Sequence, residues 1–184
     1  MFCFTENSKS STSANIKYYG IIGSAAHIFL EHKLPVSGYL VAWKYYMNTD
    51  EGEDRVCTQT SYAAIIRRTG DWYTMIAKTL LTPENSINAG VRFQFIQNEA
   101  IRVQKDDLIA AFTDKGLRSE CIQLISVHPT SGSTTLTVNL PAEFYSVNTT
   151  FTLPRGKNYF DEGEHLADPA LKAYVSGIDQ FLAL

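Results

Sequence analysis

The sequence predicts an all-β protein, an antiparallel β-sandwich or jelly roll of about ten to twelve strands. Apolar and polar residues alternate along 91–95, 101–104 and 135–140. Successive side chains of a β-strand point to opposite faces, so each of these runs has one apolar face and one polar face. Turn-forming residues separate the runs, and no segment of convincing length has the periodicity of a helix.

A polar arm, about residues 1–15, precedes the folded part of what we expect to be a single domain over 1–184. The strand predicted over 26–34 could alternatively be a short helix. All later strands share apolar runs that are bounded by Gly, Pro, Asn or Asp. Strands are predicted over 16–22, 26–34, 38–47, 56–67, 72–81, 91–96, 101–103, 108–112, 117–127, 134–140, 149–153 and 171–175.

The strand 38–47 is apolar on both faces. Such a strand is usually central and covered on both sides, and the alternative is an aromatic face exposed for binding or assembly. We expect 48–54 to form a hairpin loop that leads into the return strand 56–67. The residues predicted to form the core occupy the apolar phase of neighbouring strands, and they are Phe93, Phe95, Val103, Leu108 and Phe112.

Charge and hydropathy argue against two classes of partner. The 184 residues carry a net charge of −3 and contain no block rich in Lys and Arg, so a nucleic-acid partner is not expected. No stretch reaches the length of about 18 apolar residues that a membrane helix requires. The first residues do not resemble a signal peptide. The protein is therefore either cytosolic or secreted with its leader absent from this numbering.

Three cysteines, Cys3, Cys57 and Cys121, leave at least one thiol outside any disulfide within the chain. The sequence is compatible with one long-range disulfide and also with buried free thiols. No Cys/His spacing indicates a zinc site. Asn148-Thr149-Thr150 fits the N-glycosylation sequon, a triplet that also arises by chance.

Several stretches in succession resemble a known type of domain. They are 18–22, 38–46, 65–68, 73–78 and 101–109. Together they resemble, over about residues 17–113, a poorly characterised β-sandwich domain of secreted and surface proteins of invertebrates. That family usually has Lys-Gly-Asp at a corner where this chain has Lys105-Asp106-Asp107. A residue that tolerates positive φ is wanted there, and Asp meets that need. The resemblance implies an extracellular setting and no activity.

The aromatic residues Trp43, Tyr45, Trp72 and Tyr73 are the predicted ligand-binding group. Between two sheets they would form an apolar slot for a hydrophobic ligand, and at a sheet face or loop end they would stack on sugar rings. Their alternative role is ordinary core packing.

Two acidic segments are the only candidate metal ligands, and calcium prefers such oxygen-rich, bendable loops. Their residues are Asp50, Glu53, Asp54, Asp161 and Glu164. Neither segment holds a complete ligand set, so we expect little or no calcium dependence. His27 and His32 are five residues apart, and on a regular strand they would face opposite ways. Asp106 and Asp107 are adjacent and would diverge, which argues against a shared acid–base role.

The sequence shows no nucleophile motif and no phosphate-binding loop, so we do not expect an enzyme. The leading hypothesis is a non-enzymatic extracellular protein that binds a glycan or a surface protein. The first alternative is a carrier of an apolar small molecule, such as a lipid or a carotenoid, in an aromatic-lined pocket or subunit interface. The second alternative is a structural assembly protein. No other cofactor is expected, and a homo-oligomer stays open.

Overall fold

A computed structural model describes eleven segments of the chain, which are 4–6, 26–47, 61–81, 90–97, 100–113, 122–123, 125–128, 135–138, 146–152, 166–169 and 171–177. Every regular element in these segments is a β-strand, and every strand pairing is antiparallel. The all-β, antiparallel prediction is therefore confirmed for the described residues. Residues 26–33 form a strand, so their alternative as a helix is wrong.

The described strands are numbered in chain order. They are β1 (Phe4–Glu6), β2 (Ala26–Lys33), β3 (Gly38–Met47), β4 (Ser61–Thr69), β5 (Trp72–Leu81), β6 (Gly90–Phe95), β7 (Ile101–Val103), β8 (Leu108–Thr113), β9 (Ile122–Gln123), β10 (Ile125–His128), β11 (Thr135–Val138), β12 (Thr150–Thr152), β13 (Leu166–Pro169) and β14 (Leu171–Gly177). Strands β1 and β13 were not predicted, and β1 lies inside the segment that was predicted to be a polar arm.

Two six-stranded sheets contain most of the strands. Sheet A has the order β1-β14-β3-β6, with β7 and β9 also paired to β3. Sheet B has the order β11-β2-β8-β4-β5-β12, and β10 pairs separately with β13. Strand β3 is central, as predicted, because β14 and β6 lie on its two sides. The predicted pairing of β3 with β4 is wrong, because consecutive strands need not be neighbours and β4 belongs to sheet B. The loop 48–54 lies outside the described residues.

The two sheets pack face to face through one shared core. Sheet B contributes Phe29, Ile65 and Ile109, and sheet A contributes Trp43 and Val175, all fully buried. Dense packing of this kind is what holds two sheets together. The predictions for Val103 and Leu108 are confirmed, with exposed fractions of 0% and 2%. The structure does not describe the side chain of Phe112, so its place in the core stays a prediction.

The second face of sheet B is also apolar and buried. Along β4, Ala63 and Ile65 point into the shared core, whereas Ala64 and Ile66 belong to a separate cluster on the other face. We call this second group the outer cluster, and its buried members are Ile28, Ala64, Ile66, Tyr73, Met75, Leu108, Ala110 and Phe151. Sheet B is thus an internal layer over its central strands, which explains why β4 and β8 read as continuous apolar runs.

Strand β6 places its side chains in the opposite phase to the one predicted. Phe93 and Phe95 are 47% and 61% exposed, so the prediction that they belong to the core is wrong. Gln94 points inward instead. Its Oε1 accepts a hydrogen bond from the Tyr45 hydroxyl at 3.3 Å, and its Nε2 donates to the Leu80 carbonyl oxygen at 2.8 Å. At this end of the described sheet A, a polar side chain bridges the two sheets. Alternation distinguishes two faces but does not say which one is inward.

Phe95→Ala is therefore expected to lower the free energy of unfolding by less than about 1 kcal/mol, because most of the side chain is already in contact with water. Ile109→Ala is the buried comparison and is expected to cost about 2–5 kcal/mol. Urea unfolding of both variants measures the difference. A cost for Phe95→Ala as large as that for Ile109→Ala would contradict the exposure of this ring.

A break in the pairing of β2 with β8 changes the direction of one histidine. The register shifts between Phe29 and Lys33. As a result Glu31 and Lys33 are exposed, whereas His32 is buried with its ring edge-on to Phe29, at 6.1 Å between centroids and an interplanar angle of 80°. His27 lies two residues before Phe29 and points to the same side. The prediction that His27 and His32 face opposite ways is wrong, because it assumed an unbroken strand.

Burial lowers the pKa of His27 from 6.5 to about 4. Between these pH values the unfolded chain binds a proton that the folded chain excludes, so stability is complete above pH 6.5 and falls as the pH drops toward 4. This one group accounts for about 3 kcal/mol over that range. We expect His27→Leu to show a smaller loss of stability between about pH 7 and pH 4.5, measured by urea unfolding. An equal loss in both proteins would show that His27 does not titrate in this way.

The corner between β7 and β8 is held by a buried carboxylate. Asp106 has a φ of 70°, as expected for a residue that takes the place of Gly. The Asp107 carboxylate is 2% exposed and accepts hydrogen bonds from Arg67 Nε and Nη2 at 2.9 and 2.8 Å and from the Gln104 amide at 2.7 Å. The bonds to Asp107 raise the pKa of Arg67. Asp107 therefore ties the corner to β4, and it does not form an acid–base pair with the exposed Asp106.

Candidate functional site

Trp43 and Tyr45, two of the predicted ligand-binding residues, lie in the shared core. Their exposed fractions are 0% and 3%. Trp43 Nε1 donates a hydrogen bond to Thr79 Oγ1 at 3.0 Å, and the Tyr45 hydroxyl donates to Gln94. Both polar atoms are therefore hydrogen-bonded to protein groups, and the two side chains have almost no surface left for contact with a ligand. These two residues pack the sheets against each other.

Trp72 and Tyr73 are neighbours on β5 and point to opposite faces. Tyr73 is 5% exposed and stacks on Phe151 in the outer cluster, with 5.9 Å between centroids and 16° between planes. The Arg68 guanidinium lies 5.6 Å from the Tyr73 ring centroid. Trp72 is 56% exposed, next to the tight turn at Gly70 that joins β4 to β5. The structure therefore places the four predicted residues in three environments and does not bring them into one group.

A different aromatic group is exposed on the outer face of sheet A. Phe93 and Phe95 of β6 and Tyr174 of β14 surround Ala42 of β3, because Ala42 pairs with both Phe95 and Tyr174. The ring centroid of Phe93 lies 5.7 Å from that of Phe95 and 4.7 Å from that of Tyr174. Ala42 is 1% exposed beneath them. We call Phe93, Phe95 and Tyr174 the aromatic surface.

Two lysines flank the aromatic surface. Lys44 of β3 pairs with Phe93 on one side and with Lys172 of β14 on the other. Both lysines are half-buried. The two ammonium groups lie on neighbouring strands and give this side of the aromatic surface a positive charge, which attracts anionic groups. The aromatic surface therefore has an apolar centre and a cationic flank.

The rings of the aromatic surface do not lie in one plane. Phe93 and Phe95 are tilted by 42°, and Phe93 and Tyr174 by 52°. Tilted arrangements are common for neighbouring aromatic rings, and the three rings together form an uneven apolar surface.

The sequence draws attention to two of the three members of the aromatic surface, but with the wrong orientation. The alternation around Phe93 and Phe95 was recognised, but the phase was assigned to the core. Tyr174 fell in a predicted strand without being singled out. Only the pairing of β6 and β14 with the same central strand brings these residues together, and no sequence signal records that pairing.

The acidic candidates for metal binding and the three cysteines lie outside the described residues. They are Asp50, Glu53, Asp54, Asp161, Glu164, Cys3, Cys57 and Cys121. Within the described segments, no three residues of the types His, Cys, Asp and Glu are grouped to hold a metal ion. Across the same part of the chain, no helix is long and apolar enough to cross a membrane.

Comparisons with protein-family models, with curated proteins and with solved structures return no match for this chain. The resemblance of residues 17–113 to an invertebrate β-sandwich domain stays a prediction. The aromatic surface and its flank are therefore the features of this chain that bear on its function.

Proposed function

We propose that this chain is a non-enzymatic extracellular protein that binds an acidic surface protein through the aromatic surface. The observation that carries the proposal is the exposure of Phe93 and Phe95, at 47% and 61%, in contact with each other on one sheet face. Contiguous apolar groups with a charged rim are typical of interaction sites, and aromatic residues are enriched there. The jelly-roll sandwich of 1–184, as one domain, is the scaffold in this proposal.

The charge of the flank favours an acidic partner over a second copy of this chain. In a two-fold symmetric dimer the aromatic surface would meet itself. When the two-fold axis passes close to Lys44 and Lys172, this pair of each copy would approach the same pair of the other copy, and such like-charge contacts are costly. A partner with carboxylates beside an apolar ridge gains attraction at the same position.

The carrier alternative has weaker support from the described residues. An aromatic-lined pocket between the sheets would need ring faces that are free to meet a ligand. Trp43 and Tyr45 fill the space between the sheets, and their polar atoms bond to Thr79 and Gln94. An apolar small molecule on the exposed aromatic surface is therefore the form of the carrier hypothesis that an experiment must distinguish.

The test uses the full chain as bait for purified extracellular proteins from its natural source. A captured protein must be identified, and its binding must be reproduced with both purified components. We expect Phe93→Ser with Phe95→Ser to weaken the affinity at least tenfold, as hot-spot aromatic residues do. Lys44→Glu with Lys172→Glu should slow association, and the effect should shrink at high salt.

Leu80→Ser is the matched control, because Leu80 is 47% exposed, as Phe93 is, but lies on sheet B. It should bind as the unchanged protein does. Three outcomes would overturn the proposal. They are retention on a glycan array that depends on Phe93 and Phe95, self-association that depends on them, and a co-purifying lipid or pigment lost with them.

A further inference from the structure

Asn148-Thr149-Thr150 is the only N-glycosylation sequon in the sequence. A sequon alone is weak evidence, because the triplet often arises by chance. Whether it can carry a glycan in the folded protein depends on where the Asn side chain lies. A bulky hydrated group requires an exposed position with open space around it.

The structure places Asn148 at the exposed point of a turn beside β5. Asn148 is exposed and has a φ of 68°, a left-handed conformation that Asn tolerates better than most residues. Its backbone amide donates to the Met75 carbonyl oxygen at 2.8 Å, and the Met75 amide donates to the Thr149 carbonyl oxygen at 3.0 Å. These two bonds hold the backbone of the turn against β5, so the side chain of Asn148 is presented outward.

The surroundings of Asn148 also suit a glycan. Val147, the preceding residue, is 44% exposed, and an attached sugar would shield this apolar side chain from water. The hydroxyl of Thr150 shares a hydrogen bond of 2.9 Å with that of Thr74, in a pair that is exposed. Neither contact occupies the side-chain amide of Asn148.

We propose that Asn148 is a site of N-linked glycosylation. The reaction joins the side-chain nitrogen of Asn148 to the anomeric carbon of a lipid-pyrophosphate-linked oligosaccharide. The nitrogen loses one proton, the bond from the anomeric carbon to the phosphate oxygen breaks, and the lipid pyrophosphate leaves. This inference rests on the extracellular setting of the proposed function, but it does not depend on the aromatic surface.

The glycan and the partner would occupy different parts of the molecule. Asn148 lies beside β5 of sheet B, whereas the aromatic surface lies on the outer face of sheet A. The shared core separates the inner faces of the two sheets. Partner binding should therefore be independent of the modification.

The experiment is mass spectrometry on the full protein purified from its natural source. Digestion with a peptide N-glycosidase in heavy-oxygen water should convert Asn148 to isotopically labelled Asp, and the intact protein should lose the mass of one glycan. A peptide that contains unmodified Asn148 in all of the purified protein would overturn the proposal.

Secreted expression of variants behind a eukaryotic leader supplies the controls. Thr150→Ser keeps the sequon and should carry the glycan, whereas Thr150→Ala and Asn148→Gln should lack it. Thr150→Ala is the cleaner variant, because it leaves Asn at the position with positive φ. A glycan that persists in Thr150→Ala would overturn the assignment. Binding that is lost only in the Phe93 and Phe95 variants would support the partner site separately, whatever the state of Asn148.

Discussion

Gly38→Ala is expected to lower the free energy of unfolding by more than about 4 kcal/mol, a loss that only severe structural defects cause. Gly38 is the first residue of β3, the central strand of sheet A, and it pairs with Gly177 of β14 on one side and with Val103 of β7 on the other. A Cβ at this position would overlap the carbonyl oxygen of Ser176 and lie 2.8 Å from its carbonyl carbon. The obstacle is backbone, so no side-chain rotation relieves it, and β3 must separate from β14. Urea unfolding, or loss of soluble protein, measures the effect.

Gly70→Ala is the control for this prediction. Gly70 has a φ of 62° in the turn between β4 and β5, and no atom lies within 4 Å of an added Cβ. The expected cost is about 1 kcal/mol, from the strain of a left-handed Ala. If Gly38→Ala cost no more than Gly70→Ala, the pairing of β3 with β14 at this point would be wrong.

Trp43→Ala is expected to lower the free energy of unfolding by about 3–5 kcal/mol. The side chain is fully buried in the shared core, and its removal also leaves the hydroxyl of Thr79 without the indole donor. Both the cavity and the lost hydrogen bond act in the same direction. Denaturant unfolding followed by Tyr fluorescence or circular dichroism measures the change.

Trp72→Ala provides the comparison, since the same residue type is 56% exposed at the end of β5. Its expected cost is below about 1 kcal/mol. Equal costs for the two substitutions would contradict the placement of Trp43 between the sheets. A specific loss of ligand binding in Trp72→Ala, with stability retained, would move the binding site from the aromatic surface to this turn.

The local part of the fold could be predicted from the sequence because its causes are local. The apolar runs that form β5 and β8 are visible in the sequence, and Gly70 and Asp106 mark positions where the backbone has positive φ. Both features depend on residues close in sequence, so the pattern of a single strand or turn contains them.

The sheet assignments could not be predicted in the same way. The sequence predicts that β3 pairs with β4 in a hairpin, but the neighbours of β3 are β14 and β6. Pairing depends on which strands meet after collapse, and each strand exposes equivalent backbone groups to any partner. The break in β2 that turns His32 toward Phe29 is equally invisible, because the three residues between Phe29 and Lys33 have no partner on β8, and an odd number of extra residues reverses the faces beyond it.

The same limit applies to the candidate site. The cluster of aromatic residues around Trp43 and Tyr45 shows only that this segment is hydrophobic. In the structure these two side chains pack in the shared core. The distinction between Trp43 and Phe95 depends on which face of β3 and β6 points inward, and on the inward face of β6 Gln94 bonds to both Tyr45 and Leu80. That choice involves residues from both sheets, so it exists only in three dimensions.

The late position of β14 in the chain has a consequence for synthesis on the ribosome. Strands β2, β4, β5 and β8 all lie within residues 26–113, so the centre of sheet B can form before β14 is synthesised. Strand β3 must wait for β14, and the Ser176 hydroxyl bonds to a carbonyl 137 residues earlier, that of Tyr39. Such high contact order slows folding, and the nascent chain meanwhile presents one open edge of β3 to other molecules. Newly made protein should therefore depend on chaperones until β14 has left the ribosome.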